Sequence, residues 1–376
     1  MHTSNPSSNR IAKVLVALAS IVVALGLIAA SSSAAYAATG NQKPDEKRLA
    51  SQSSDSEGPL SSDRASTEYG LIGKGGYLYP ADAQGDKVAD TWADRTFNTK
   101  AITKLFVASD ATSIPGPLFV PKTEKSGSMQ DIMSFTNLGD VTFLLDDNGR
   151  NACKSIGASA FAYSSVSTLT NFEKTRVEVI DKQAFSNSQL VSISLPPTLK
   201  RIGPGAFSAS RWLESLSGLG KTKLTSIGDG SFESCTSLKS VILPDSCTTI
   251  GSAAFRFPNG EVPSLISVVG GRKLKAIQSE AFSGCLTLES VKLRSSGVKV
   301  GSRAFASCSA LRAFPFSKVA SIGEGAFQYD VSLKGSLVIS RDCESIGCAA
   351  FADCALLRRV ILPNTLKKID NGTYLC

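Results

Sequence analysis

The chain has 376 residues, with 40 lysines and arginines against 32 aspartates and glutamates and one histidine, His2. A hydrophobic share of 42% is enough to build a core and excludes a fully disordered chain. His2 stands ahead of an export leader, so the mature chain has no imidazole; Ser-His-Asp and Cys-His catalysis and histidine-containing metal sites are excluded from it.

Arg10 and Lys13 precede an apolar run from Val14 to Ala30, and Ala35-Tyr36-Ala37 stands before Ala38. Residues 1–37 read as a secretory signal peptide cut after Ala37, which predicts a secreted or cell-surface location. The competing reading is an uncleaved anchor, since a run of about 17 apolar residues lies at the lower edge of a membrane span. Contact with a membrane is expected only through this leader. Residues 38–68 are rich in Ser, Asp, Lys and Gly, as in Ser51-Gln52-Ser53-Ser54-Asp55-Ser56-Glu57-Gly58, and read as a disordered polar linker.

Residues 69–150 predict an N-terminal cap with degenerate first repeats. Tyr69 to Lys100, with Trp92, is the capping segment, and a small separate domain is the alternative. Ile102, Leu105 and Val107 then take strand positions, with Ile114 and Phe119 in the isoleucine and phenylalanine slots that recur further on. A second degenerate unit starts at Leu138-Gly139-Asp140-Val141-Thr142-Phe143 and runs to Ile156 and Phe161. Asp146-Asp147 is a carboxylate pair of the kind a glycosidase uses, but its predicted place in a turn favours plain solvation.

From Ile156 onward one phrase recurs, Ile-Gly-x-x-Ala-Phe-x-x-Cys/Ser. Its ring falls at Phe161, Phe185, Phe207, Phe232, Phe255, Phe282, Phe305, Phe327 and Phe351, with Tyr374 in the tenth slot. The gaps run from 22 to 27 residues, a period that belongs to solenoids. Ahead of each phrase lies Leu-x-x-Val-x-Leu-Pro, clearest at Leu190–Pro196, Leu238–Pro244 and Leu357–Pro363. Its alternation predicts a short strand, ended by a proline that has no amide hydrogen for the ladder. Residues 151–376 are therefore expected to form a β-rich repeat solenoid, and with the degenerate units the array comes to about ten to twelve short coils with a parallel sheet on one face. Like residues fall into columns, and the alanine before each ring stays small except at Ser231 and Thr373. Ile369-Asp370-Asn371-Gly372-Thr373-Tyr374-Leu375-Cys376 opens a tenth phrase, expected to be either an abbreviated cap or the start of further coils leading to a wall anchor.

Nine cysteines follow the repeat. Cys235, Cys285, Cys308 and Cys354 lie three residues after the ring, where other coils have Ser164, Ser188 and Ser210; Cys153, Cys247 and Cys343 lie three before the isoleucine. A slot shared by Cys and Ser reads as a small, half-buried column, and if any disulfide forms the candidates are Cys285 with Cys308 and Cys354 with Cys376. Gly220-Lys221-Thr222 imitates a phosphate-binding loop but lacks its first glycine, because position 215 is serine. No cofactor and no metal are expected.

These phrases resemble the BspA-like leucine-rich-repeat family over roughly the last 230 residues. The resemblance implies a bacterial surface or secreted binding protein and leaves the ligand open.

The inward leucines and valines of each strand leave two outward positions: Ser192 and Ser194, Ser240 and Ile242, Ser267 and Val269, Ser290 and Lys292, Ala313 and Pro315, Ser336 and Val338, Arg359 and Ile361. The candidate ligand-binding residues are Ser194, Ile242, Val269, Lys292, Pro315, Val338, Arg359 and Ile361; among them Ile242, Val269, Pro315, Val338 and Ile361 are expected to form an exposed apolar strip, interrupted by Ser194 and Lys292, that marks an interaction surface or simply reflects β-propensity. Residues 190–376 hold 22 basic and 13 acidic side chains, against 16 and 19 in residues 38–189. The expected partner is an extracellular protein or glycan, not nucleic acid, in adhesion or recognition; the basic excess either favours an acidic partner or is a solvated surface whose lysines keep the array soluble. The rival expectations are a structural, self-associating surface spacer and a repeat platform that targets a small N-terminal hydrolase.

Overall fold

In the computed structural model the described residues are 68–74, 78–81, 83–87, 102–116, 137–258, 260–370 and 372. The leader, most of the linker, Trp92, Phe119, Tyr374 and Cys376 lie outside them. All the described residues except Gly260 and Glu261 belong to one compact unit.

The isoleucine of each phrase is the last residue of a short strand, as in Arg201–Ile202, Ser226–Ile227 and Val319–Ile322, with Val300 in its place in Val298–Val300. These strands stack in parallel into a single eleven-stranded sheet, one strand per winding, from Ser113–Ile114 to Lys368–Ile369. Eleven windings fall within the expected number. The register keeps like with like: Ile114 pairs with Ile156, Ile202 with Ile227, Ile277 with Val300, and Ile346 with Ile369. Where a glycine follows the isoleucine, the windings touch backbone to backbone. A Cβ built at Gly251 would stand 2.7 Å from the Asp229 amide nitrogen on the previous winding, and one at Gly323 would stand 2.5 Å from that of Ser302.

Two residues beyond each such glycine the chain turns through a residue with positive φ and presents the ring. Residues two before and two after the ring take up this left-handed conformation, among them Gly205 and Ala209 around Phe207, and Arg303 and Ser307 around Phe305, with Phe257 after Phe255 as the exception. The turn lets each ring's amide bond the next winding: Phe185 N–H donates to Ala206 O at 2.7 Å, Phe232 to Ala254 at 2.8 Å and Phe282 to Ala304 at 2.7 Å. The nine rings are buried and lie in one column, with centroids 5.1 to 5.7 Å apart and planes within 17° of parallel. Such a column contributes both burial and offset stacking. Ser231 sits in the small slot fully buried, with no hydrogen-bond partner for its hydroxyl.

The leucine-valine strands behave differently. The sequence predicts one sheet growing with every winding, and the structure breaks it into a five-stranded sheet, a pair, a triplet and another pair. The breaks have a common cause. Three windings replace the Leu-Pro corner with a 3₁₀ turn, at Phe172–Lys174, Leu219–Lys221 and Phe316–Lys318, entered through Asn171 (φ 63°), Gly218 (φ 80°) or Pro315. In each, the buried Phe172, Leu219 or Phe316 takes over the core place of the strand's last leucine. The strand just before such a turn pairs with the preceding winding and not with the following one: Thr168–Thr170 stops short of Ser192–Ser194, Ser215–Ser217 short of Ser240–Ile242, and the Ala313 bridge short of Gly335–Val338. The Gly220-Lys221-Thr222 imitation of a phosphate loop is the second of these turns.

At the N-terminal side Ile102, Leu105, Val107 and Ile114 are fully buried in the shared core. Tyr69–Ile72 lies parallel to Lys104–Val107 and antiparallel to Leu78–Pro80, so a hairpin covers the edge of the first winding.

The cysteine slot is a correction. It is fully buried rather than half-buried, and its members are hydrogen-bond donors. The thiols of Cys235, Cys285, Cys308 and Cys354 point to the carbonyl oxygens of Phe207, Phe255, Phe282 and Phe327 on the preceding winding, at 3.1 to 3.3 Å. Ser210 makes the same bond to Phe185 O at 2.7 Å. Cys285 and Cys308 are two separate thiols, each directed at a carbonyl one winding back. Cys153, Cys247 and Cys343 form a second buried column, in which burial pushes the Cys153 thiol up to about 12 and that of Cys247 to about 11. Such thiols are inert at neutral pH. The slot also holds Asp330, three residues after Phe327, which the sequence reading missed.

Candidate binding surface

The outward positions form two columns on the strand side. Ser192 pairs with Ser215 and Ser194 with Ser217; further along, Ile242, Val269 and Lys292 stand side by side in register, as do Val338 and Ile361. Each strand turns its middle residue in, as with Val241 and Val268, so its neighbours must face out. Ile242 is 53% exposed, Val338 56% and Ile361 41%. Ser194, Lys292 and Arg359 are also exposed. Two predicted members need correcting. Val269 is half-buried between its neighbours, and Pro315 is half-buried and belongs to no strand, because it opens the 3₁₀ turn Phe316–Lys318.

The outer face changes character along the array. At Lys104–Val107 the outward Phe106 is only 3% exposed, packed with Leu71 and Ala81 in a small second core. The next windings turn out Asp140 and Thr142, Thr168 and Thr170, Ser192 and Ser194, then Ser215 and Ser217. Only from Ile242 onward does the face carry aliphatic side chains. Ile266, just before strand Ser267–Val269, adds to them at 49% exposure.

Charges are paired across windings in many places. Glu178 takes Lys200, Glu214 takes Lys239 and Glu344 takes Lys367, at 2.8 to 3.0 Å, and the Lys200 ammonium holds the Glu178 carboxyl below its ordinary range. Arg256 spans three windings by meeting Glu233 at 2.5 Å and Glu280 at 2.9 Å. Along the strand side, however, Lys292, Arg312, Lys334, Arg358 and Arg359 are exposed and form no ion pair among the described residues. Arg312, Lys334 and Arg358 were not singled out by sequence reasoning. Each directly precedes or opens a strand-side segment at the place Lys239 holds, a spacing that was available to it.

The carboxylate pair singled out in the sequence lies in a turn. Asp146 accepts the amides of Asn148 and Arg150 at 2.9 Å, the bonding of a turn, and Asp147 is exposed. Among the described residues no three His, Cys, Asp or Glu side chains cluster as metal ligands.

Comparison with known proteins decides the family. The BspA type leucine-rich repeat region matches residues 154–261 and 261–375, in six copies. The chain belongs to this family. The BspA type repeat thus covers well over half of the sequence, and its phrase is the one whose isoleucine, glycine and phenylalanine build the ladders described above. Among solved structures, the pneumococcal vaccine antigen PcpA is 21% identical, with 72% of this chain and 75% of that one covered at a TM-score of 0.39. A leucine-rich repeat protein of Eubacterium ventriosum is 16% identical, with 81% and 91% covered at 0.39. A leucine rich cell surface protein of Faecalibacterium prausnitzii is 17% identical, with 78% and 87% covered at 0.31. No curated protein matches the chain.

Proposed function

We propose that this protein is an exported, surface-associated recognition module that docks extracellular proteins or glycans on its strand side and takes part in adhesion. The observation that carries the reading is the register of aliphatic pairs on the outer face, exposed Ile242 beside half-buried Val269 and exposed Val338 beside exposed Ile361, on a surface that the core does not need. Aliphatic side chains held in line on an exposed sheet face gain free energy only when something covers them. The leader sequence and the description of the Faecalibacterium relative as a cell surface protein support the location. The test is to immobilise the full chain, expose it to a panel of purified extracellular matrix proteins and glycans, and repeat with Val269→Asp and Val338→Asp combined. Binding should disappear while the melting temperature stays put; binding that persists rules out this face.

Self-association is a second reading with its own observation. In the last windings Leu356, Leu362 and Ile369 are 54%, 39% and 47% exposed, whereas Leu243 and Ile346, in equivalent slots, are buried. Sedimentation at several concentrations separates the two: a mass that rises with concentration, and that Ile369→Asp abolishes, selects the spacer.

A further inference from the structure

We infer that the footprint is confined to the windings from Ile242 onward and that its occupant is an extended acidic polypeptide carrying apolar anchors, laid across the strands. This narrows the recognition reading above and rests on it. The outer face offers three surfaces in succession. Its first winding is covered by the chain's own Leu71 and Ala81 over Phe106. The following stretch, from Asp140 through Ser217, turns out hydroxyls and one carboxylate with no aliphatic side chain or cation among them. Beyond the sheet break after Ser217 the aliphatic column begins, and the unpaired cations accompany it: Arg312, Lys334 and Arg358 at the strand entrances, Lys292 and Arg359 on the face itself.

A cation with no ion-pair partner among the described residues is free to take an anionic one, and a row of them raises the local concentration of acidic ligands. Aliphatic anchors between those cations select against a purely anionic glycan, which would leave the column wet. The outward strand positions from Ile242 to Ile361 include no aromatic ring on which a sugar could stack. An acidic peptide with alternating apolar residues meets both demands. Windings about 4.8 Å apart put Ile242 and Ile361 about 24 Å from each other, the length of seven or so extended residues at about 3.3 Å each.

The test uses the full chain and a fluorescein-labelled peptide of about eight residues alternating Glu and Leu, with Ser-Leu and Glu-Ser peptides and heparin as comparators. The Glu-Leu peptide is expected to bind about tenfold or more tightly than any comparator, and to weaken between about 50 and 300 mM salt. Val338→Asp, and Arg312→Glu combined with Lys334→Glu, are each expected to cost about tenfold, while Ser194→Asp with Ser217→Asp costs less than about twofold. Val338→Ser stands in if the aspartate lowers the melting temperature. Failure of the Glu-Leu peptide to bind at about 100 μM, equal binding of heparin, or equal loss from the serine variants overturns the inference. A panel ligand lost in the Val269→Asp, Val338→Asp protein but indifferent to the charge reversals overturns it too, and leaves the broader recognition reading standing.

Discussion

The two long sides of the array solve the same stacking problem to different degrees. On the isoleucine-phenylalanine side every winding repeats its predecessor, and eleven strands and nine rings run on without a gap. On the strand side the pairing restarts after each 3₁₀ turn. The difference teaches which residues carry the fold. A winding tolerates a changed corner because its isoleucine and ring still find partners one winding away on each side, and so the strand face is free to vary from hydroxyl to aliphatic to basic.

The largest effect expected from this contrast is at the middle of the ring column. Phe282→Ala removes a fully buried ring stacked on both faces and should cost about 3 to 5 kcal/mol in denaturant unfolding; an unchanged midpoint places the ring outside the core. Next is the backbone contact beside the isoleucine. Gly251→Ala puts a methyl 2.7 Å from the Asp229 backbone nitrogen and should cost about 1 to 3 kcal/mol, whereas Ser240→Ala on the strand side should stay within about 0.5 kcal/mol. Equal costs would erase the distinction between the sides.

Asp330 sharpens the comparison through pH. Burial pushes its carboxyl well above the usual carboxylate range, with the Cys308 thiol adding to the shift, and only its Oδ1 finds a partner, the Cys308 amide at 2.8 Å. A raised folded-state pKa means that the stability it contributes is complete below the unfolded value of about 3.9 and is lost as pH rises through the folded value. Asp330→Ser restores the residue type of the slot, and should raise stability by about 1 to 3 kcal/mol at pH 8 with a smaller gain at pH 5. Parallel urea midpoints for the two proteins across that range would refute the assignment. The smallest expected change is at Ser231, whose buried hydroxyl has no partner: Ser231→Ala should raise stability by about 1 kcal/mol, and a loss would reveal a bond made in solution.

The column architecture was legible because its residues recur: the isoleucine, the ring and the small residue before it name their own slots. The interruptions were not, since Asn171-Phe172, Gly218-Leu219 and Pro315-Phe316 share no residue type and act through backbone conformation. The cysteine slot was legible as a column but not as a row of donors, which depends on the carbonyl one winding back. On the face, Ile242, Val338 and Ile361 followed from strand alternation, while Val269 and Pro315 did not, because their burial is set by neighbours and by a turn. The unpaired state of Arg312, Lys334 and Arg358 becomes visible only once Lys200, Lys239 and Lys367 are seen with their carboxylates.

Residue-resolved amide hydrogen exchange tests most directly whether the fold is locked on one side and open on the other. The amides of Phe185, Phe207, Phe232, Phe282 and Phe305, each bonded to the next winding at 2.7 to 2.8 Å, should be uniformly protected, and those of the strands flanking the breaks, Ser215–Ser217 and Ser240–Ile242, should exchange distinctly faster. Equal protection on both sides through every winding would contradict the account.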